Sequence, residues 1–112
     1  METTKVVAAL SALAQDTRLG IFRLLVRTGP SGLSAGLIAK EMGVVASTLS
    51  HHLGLLEQAE LVQSSRRGRN VIYTTNLEGI RALLTFLIQD CCGGRPELCG
   101  DLRTVAFGSA AE

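Results

Sequence analysis

Apolar residues recur at helical spacing along most of the chain, with one interruption. Val6, Val7, Leu10 and Leu13 make a single stripe over residues Thr3 to Ala14, which predicts a first helix. Asp16 is placed to cap a second, DTRLGIFRLLVRT, with Leu19, Phe22, Leu25 and Val26 as its buried face. Arg18, Arg23 and Arg27 fall on its polar side as solvated charges, with a phosphate contact the alternative. Gly29-Pro30-Ser31-Gly32 breaks the chain. Ser34 then caps a short helix carrying Leu37, Ile38 and Met42, and Gly43 supplies a tight turn, since glycine takes a left-handed backbone cheaply. A further periodic run places Leu49, Leu53, Leu56 and Ala59 on one side. Ala46, Ser47, Thr48, Ser50 and His51 open that run on the other side. These are mostly small, polar side chains, and such a surface can press against base edges and hydrogen-bond to them. Two helices joined this way are also a generic hairpin. Taken with the segment from Leu61 onward, they form a helix-turn-helix whose second helix enters a major groove.

At Leu61 the period changes. Leu61 to Ser65 and Val71 to Thr75 are rich in β-formers, and Arg66-Arg67-Gly68-Arg69-Asn70 lies between them. This predicts a two-stranded β-hairpin wing with a basic tip, its arginines reaching for backbone phosphates or the minor groove. A solvated turn is the plainer alternative. Asn76 caps a last helix, LEGIRALLTFLIQDCC, whose broad apolar stripe exceeds what so small a domain needs to cover. The fold class is therefore α+β, mostly α: a winged helix-turn-helix that dimerises through its first and last helices. We divide it into a DNA-binding and dimerisation domain over residues 1–92 and a cysteine-containing tail over 93–112.

Composition modifies this picture little. A chain of 112 residues is one domain with a small core, which dimerisation would support. The net charge of +1 is low for a nucleic-acid binder, so the location of the charge matters more than its sum. Between Leu61 and Leu77 there are three arginines and no acid. No apolar run approaches the roughly 18 residues of a membrane span, and METTKVVAALSALAQDTR lacks the pattern of a signal peptide. The expectation is a cytoplasmic protein with no membrane partner.

The three cysteines cluster in DCCGGRPELC, which argues against a secreted disulfide scaffold. Cys91 and Cys92 are adjacent, and side chains one apart on a helix diverge by about 100°. The helix would have to unwind there for Cys91, Cys92 and Cys99 to reach one ion, and Gly93, Gly94 and Pro96 permit that. Three thiolates suit a thiophilic trivalent metalloid such as As(III) or Sb(III), and lead, mercury and cadmium less well. A closed zinc site needs four ligands, so no zinc is expected. Two other readings stand beside this one: a redox sensor that closes a disulfide with Cys99 as one partner, and inert thiols. His51 and His52 point to different sides of their helix and do not share a metal. His52 packs at the inner edge, while His51 faces a phosphate or base. There is no Ser-His-Asp or Cys-His arrangement and no glycine-rich loop after a strand, so no enzyme is expected, a small arsenate reductase included.

LSALAQDTRLGIFRLLV, GVVASTLSHHLGLLEQAELV and RRGRNVIYT together resemble the arsenical-resistance repressor family, ArsR/SmtB, over about residues 5 to 90. The resemblance implies a homodimeric winged helix-turn-helix repressor that leaves double-stranded operator DNA when it binds a metal ion. One common sensor site of that family, a Cys-x-Cys pair before the turn, is absent: Leu37-Ile38-Ala39-Lys40 stands there. A His/Asp zinc site on the last helix is absent too. DCCGGRPELC resembles instead the arsenite-responsive subset, with a vicinal pair and a third cysteine, and this subset implies Cys91, Cys92 and Cys99 as metalloid ligands. Val45 departs from the family in standing where a capping serine is more usual. Ser47, Thr48, Ser50 and His51 are the candidates for base or register contacts, and Arg66, Arg67 and Arg69 for the phosphate backbone.

Overall fold

The computed structural model describes residues 1–89. Its elements run α1 (Thr3–Leu13), α2 (Asp16–Thr28), a 3-10 turn (Gly29–Ser31), β1 (Leu33–Ser34), α3 (Ala35–Met42), α4 (Ala46–Gln58), β2 (Val62–Arg67), β3 (Asn70–Thr75) and α5 (Leu77–Ile88). The expected winged helix-turn-helix is present. The boundary placed between residues 92 and 93 lies outside the described residues.

Two helices turn a different face inward from the one their pattern suggests. In α1 the buried positions are Val6, Ala9 and Ala12, while Val7, at 59% exposure, and Leu10 face outward. In α2 the buried pair is Ile21 and Leu25; Leu19 and Val26 are exposed and Phe22 is half-buried. The reason is the same in both. Apolar residues cover more than one stripe of each helix, so periodicity alone does not decide which stripe goes inward. Packing does: α1 lies against α2, α4 and α5, and alanines at 9 and 12 allow the close approach. The N-cap of α2 is Gln15, not Asp16; its side chain accepts from the Arg18 backbone N–H at 2.8 Å, and Asp16 occupies the first turn, where a carboxylate favours the helix dipole.

The core is one cluster in which Ile21, Leu25, Ile38, Leu49, Leu56 and Leu61 are fully buried. At about 1.5–3 kcal/mol for each such side chain, these residues supply much of the driving force for folding. The sheet has three strands, not two, in the order β1-β3-β2 and all antiparallel. β1 is only two residues long, pairing Leu33 with Tyr73 and Ser34 with Ile72, and so short a strand leaves no period to read. The hairpin strands also run further than expected. They take in Arg66, Arg67 and Asn70, and the loop shrinks to Gly68-Arg69. Gly68 has φ of 66°, as the first position of a type II′ turn requires.

The start of α5 is pinned from both sides. The Asn76 side chain accepts from the Gly79 N–H at 3.1 Å, and the Asn76 backbone N–H donates to the carbonyl of Leu61 at 2.9 Å. Gly79 rests directly on the backbone of Glu60, itself in the left-handed region with φ of 63°. Lys5 reaches Glu60 at 3.4 Å, an exposed ion pair of little energetic weight.

Candidate nucleic-acid interface

The helix-turn-helix forms as its residues dictate. The Ser34 hydroxyl accepts from the Leu37 N–H at 3.3 Å, capping α3. Gly43, at φ 65° and ψ 38°, ends it in the left-handed conformation, and the Val44 N–H returns to the carbonyl of Ala39 at 3.0 Å. α4 begins after Val45, which offers no side-chain cap. Leu49, Leu53 and Leu56 then turn inward. At about 100° per residue, Ser47 and His51 fall opposite that buried line, and Thr48 and Ser50 flank it. All four are exposed. They share one solvent-facing surface, as wide as the half of a helix that a major groove accepts.

His52 is the inward partner of His51, only 8% exposed. Its Nδ1 lies 3.3 Å from a terminal nitrogen of Arg18. Arginine has no acceptor, so Nδ1 must accept, and the imidazole is neutral with its proton on Nε2. Burial, then the Arg18 charge, then His51 hold the His52 pKa below its ordinary 6.5. The Nε of Arg18 donates to the carbonyl of Ala12 at 2.7 Å. One guanidinium therefore ties the end of α1 to the middle of α4. Arg18 is thus a structural tie and not the solvated charge its place on the polar side of α2 suggests. A signal was there: a cation in the first turn of a helix opposes the dipole and so calls for a partner.

The wing is fastened at two points. The Ser64 hydroxyl donates to a Glu57 carboxylate oxygen at 2.9 Å, joining β2 to α4. Burial first, and that carboxylate second, raise the Tyr73 pKa above its ordinary 10.0. Strand alternation puts Arg66 on the same face as Ser64, toward α4. Arg67 takes the opposite face, where its guanidinium donates to the carbonyls of Ser31 at 3.0 Å and Pro30 at 3.3 Å. The three candidate arginines are thus not equivalent. Arg66 and Arg69 are exposed toward or at the tip, whereas Arg67 straps the wing to the turn after α2.

The profile of a helix-turn-helix domain family matches residues 13–64. The HTH-type transcriptional regulator YgaV of Escherichia coli (strain K12) is 31% identical over 85 residues, 76% of this chain and 84% of that protein. The homodimeric winged helix-turn-helix DNA-binding domain of Mb0332 from Mycobacterium bovis, described as a possible ArsR-family regulator, has a TM-score of 0.64 at 29% identity, covering 87% of this chain and 84% of that one. The chain belongs to the ArsR family of winged helix-turn-helix transcriptional regulators. HlyU from Vibrio cholerae N16961 is also similar, with a TM-score of 0.63 at 30% identity over 82% of this chain and 99% of that one. In this ArsR-family chain no three His, Cys, Asp or Glu side chains gather as a metal cluster among the described residues. Cys91, Cys92 and Cys99, the predicted metalloid ligands, lie outside the described residues. No helix among the described residues is long and apolar enough to cross a membrane.

Proposed function

We propose that this regulator is a homodimeric repressor that grips operator DNA with α4 and the wing and lets go when As(III), or Sb(III), is bound by the thiolates of Cys91, Cys92 and Cys99. The observation that carries the DNA-binding half is the shared exposed surface of Ser47, Thr48, Ser50 and His51, with Arg66 facing the same helix. Polar side chains on α4 contact base edges or fix register, and Arg66 and Arg69 meet phosphates. Dimerisation is supported by Val7 and Leu10 on α1 and Leu87 on α5, exposed apolar residues on the two helices assigned to the interface, and by the homodimeric state of Mb0332. Two copies would present α4 to half-sites about 34 Å apart, one turn of DNA.

The sensing half rests on the sequence pattern of a vicinal cysteine pair and a third cysteine, beginning shortly after α5. Three thiolates and a trivalent metalloid match in softness and coordination number. A coupling of roughly 1–3 kcal/mol between that site and the dimer helices would weaken operator binding by about 5–150-fold. One observation favours a second reading, a thiol redox switch: HlyU of Vibrio cholerae, 28% identical over 80% of this chain, is known in a form described as reduced.

Fluorescence anisotropy on a duplex selected from a random library separates the two. Arsenite under reducing conditions is expected to release the duplex, and each single Cys→Ser substitution to abolish that response. A disulfide needs only two sulfurs and responds to peroxide. Should every single Cys→Ser variant still release DNA with arsenite, the triad is wrong.

A further inference from the structure

Behind the wing lies a cavity of about 660 Å³ that the DNA-binding surface does not use. Its volume falls within the roughly 300–1,000 Å³ of small-molecule sites. Phe22 and Ile80, both packed on the core, line it together with exposed Val26 and Leu77. The opposing wall is the back of β2, where alternation aligns Gln63, Ser65 and Arg67 as a row of hydrogen-bond donors. This is the face turned away from Ser64 and α4.

The charge arrangement is asymmetric. Arg67 sits at one end, held by the neutral carbonyls of Pro30 and Ser31, with guanidinium N–H groups to spare. Glu78 also lines the cavity, but in the first turn of α5, beside the Gln63 end of β2. Gln63 and Arg67 are four residues apart on an extended strand, about 13 Å. Among the described residues no ion pair joins Glu78 to Arg67, so the Arg67 end keeps its charge. The groove therefore offers a cation at one end and apolar walls of aromatic and aliphatic side chains between the ends.

We propose that this groove is an effector site for a monocarboxylate with an apolar body, its carboxylate on Arg67 and its aryl or branched acyl part against Phe22, Val26 and Leu77. The proposal calls on none of the cysteines, and it rests only on the chain being a DNA-binding regulator. Because its walls belong to β2, α2 and α5, occupancy changes how the wing is held to the body, and the DNA reads that change.

The test uses 4-phenylbutyrate, with uncharged 4-phenylbutanamide as the control, on the full chain under reducing, arsenic-free conditions. Amide chemical shifts are expected to move at Ser65, Arg67 and Leu77. Arg67→Gln should weaken binding by about tenfold or more, the loss of a charge-assisted bidentate contact, and the amide control should be weaker by a similar factor. Val26→Trp, at an exposed position, should fill the groove and abolish binding while leaving the rest of the spectrum in place. Affinity for the selected duplex should change by at least about fivefold on adding 4-phenylbutyrate. No shifts, shifts elsewhere, equal binding of acid and amide, or unchanged duplex affinity would each overturn the proposal. Groove resonances that move on dilution instead would make this face an interface between copies and also overturn it. Arsenite plays no part in these measurements, so this site and the thiol site stand or fall separately.

Discussion

Gly79→Ala offers the sharpest test of how α5 is seated, because two physical arguments give it opposite signs. Helix propensity alone says that replacing a helical glycine by alanine stabilises, by up to about 0.8–1 kcal/mol. The structure says otherwise. A Cβ built on Gly79 falls almost on top of the carbonyl oxygen of Glu60 and 2.8 Å from the carbonyl carbon. Both are backbone atoms, at the junction of α4 and β2, and cannot rotate aside. Relief requires α5 to lift by more than an ångström from a packed core, and overpacking of this kind costs typically 1–3 kcal/mol, occasionally more. Taking the upper end and subtracting the propensity gain leaves a net loss of about 2 kcal/mol. At about 4–8 °C per kcal/mol for a domain of this size, Tm should fall by roughly 8–16 °C. The assay is thermal unfolding by circular dichroism at one fixed protein concentration, since the stability of any self-associating protein depends on it. Gly36→Ala in α3 is the matched control. No neighbouring heavy atom lies within 4 Å of its Cβ, so it should raise Tm by a few degrees. A Gly79→Ala protein as stable as its parent would falsify the claim that α5 rests on Glu60.

Three further expectations come from individual contacts. Val45→Ser supplies the side-chain cap that α4 lacks and should stabilise the protein by about 0.5–1 kcal/mol, read as a higher urea midpoint at constant m; an unmoved midpoint would mean the N-terminus of α4 is already satisfied. His52 titrates below 6.5 in the folded state, so the unfolded chain takes up its proton first as the pH falls. Stability should decline as the pH drops through 6.5 and level off below the folded value, and His52→Gln should remove that component from the difference between the two stability curves. Arg66→Ala and Arg69→Ala should each lower the slope of log affinity against log salt by about two for a homodimer, one for each wing, in anisotropy titrations over a range of salt. Slopes identical to the parent's would show that neither side chain meets a phosphate.

The order of the helices, the Ser34 cap, the Gly43 turn, the inward leucines of α4 and the outward polar group at its start were all legible in the sequence. Each is fixed by interactions within a few residues: a hydroxyl and an N–H three apart, a backbone angle only glycine adopts easily, a repeat near 3.6. The break in period at Leu61 likewise announced the wing, and the basic tip was visible as three arginines with no acid nearby. What the sequence left open is what non-local contacts decide. Val6 rather than Val7, and Ile21 rather than Leu19, face the core because neighbouring helices select one of two apolar stripes. β1 exists only because β3 passes beside Leu33 and Ser34. Arg66 and Arg67 read identically in a run of basic residues, yet strand alternation points one toward α4 and the other to carbonyls 36 and 37 positions back. Arg18 meets His52 across 34 residues, a pairing that no local period encodes. Short-range chemistry set the elements and their ends; the side each element shows to solvent or to its neighbours came only when the elements packed.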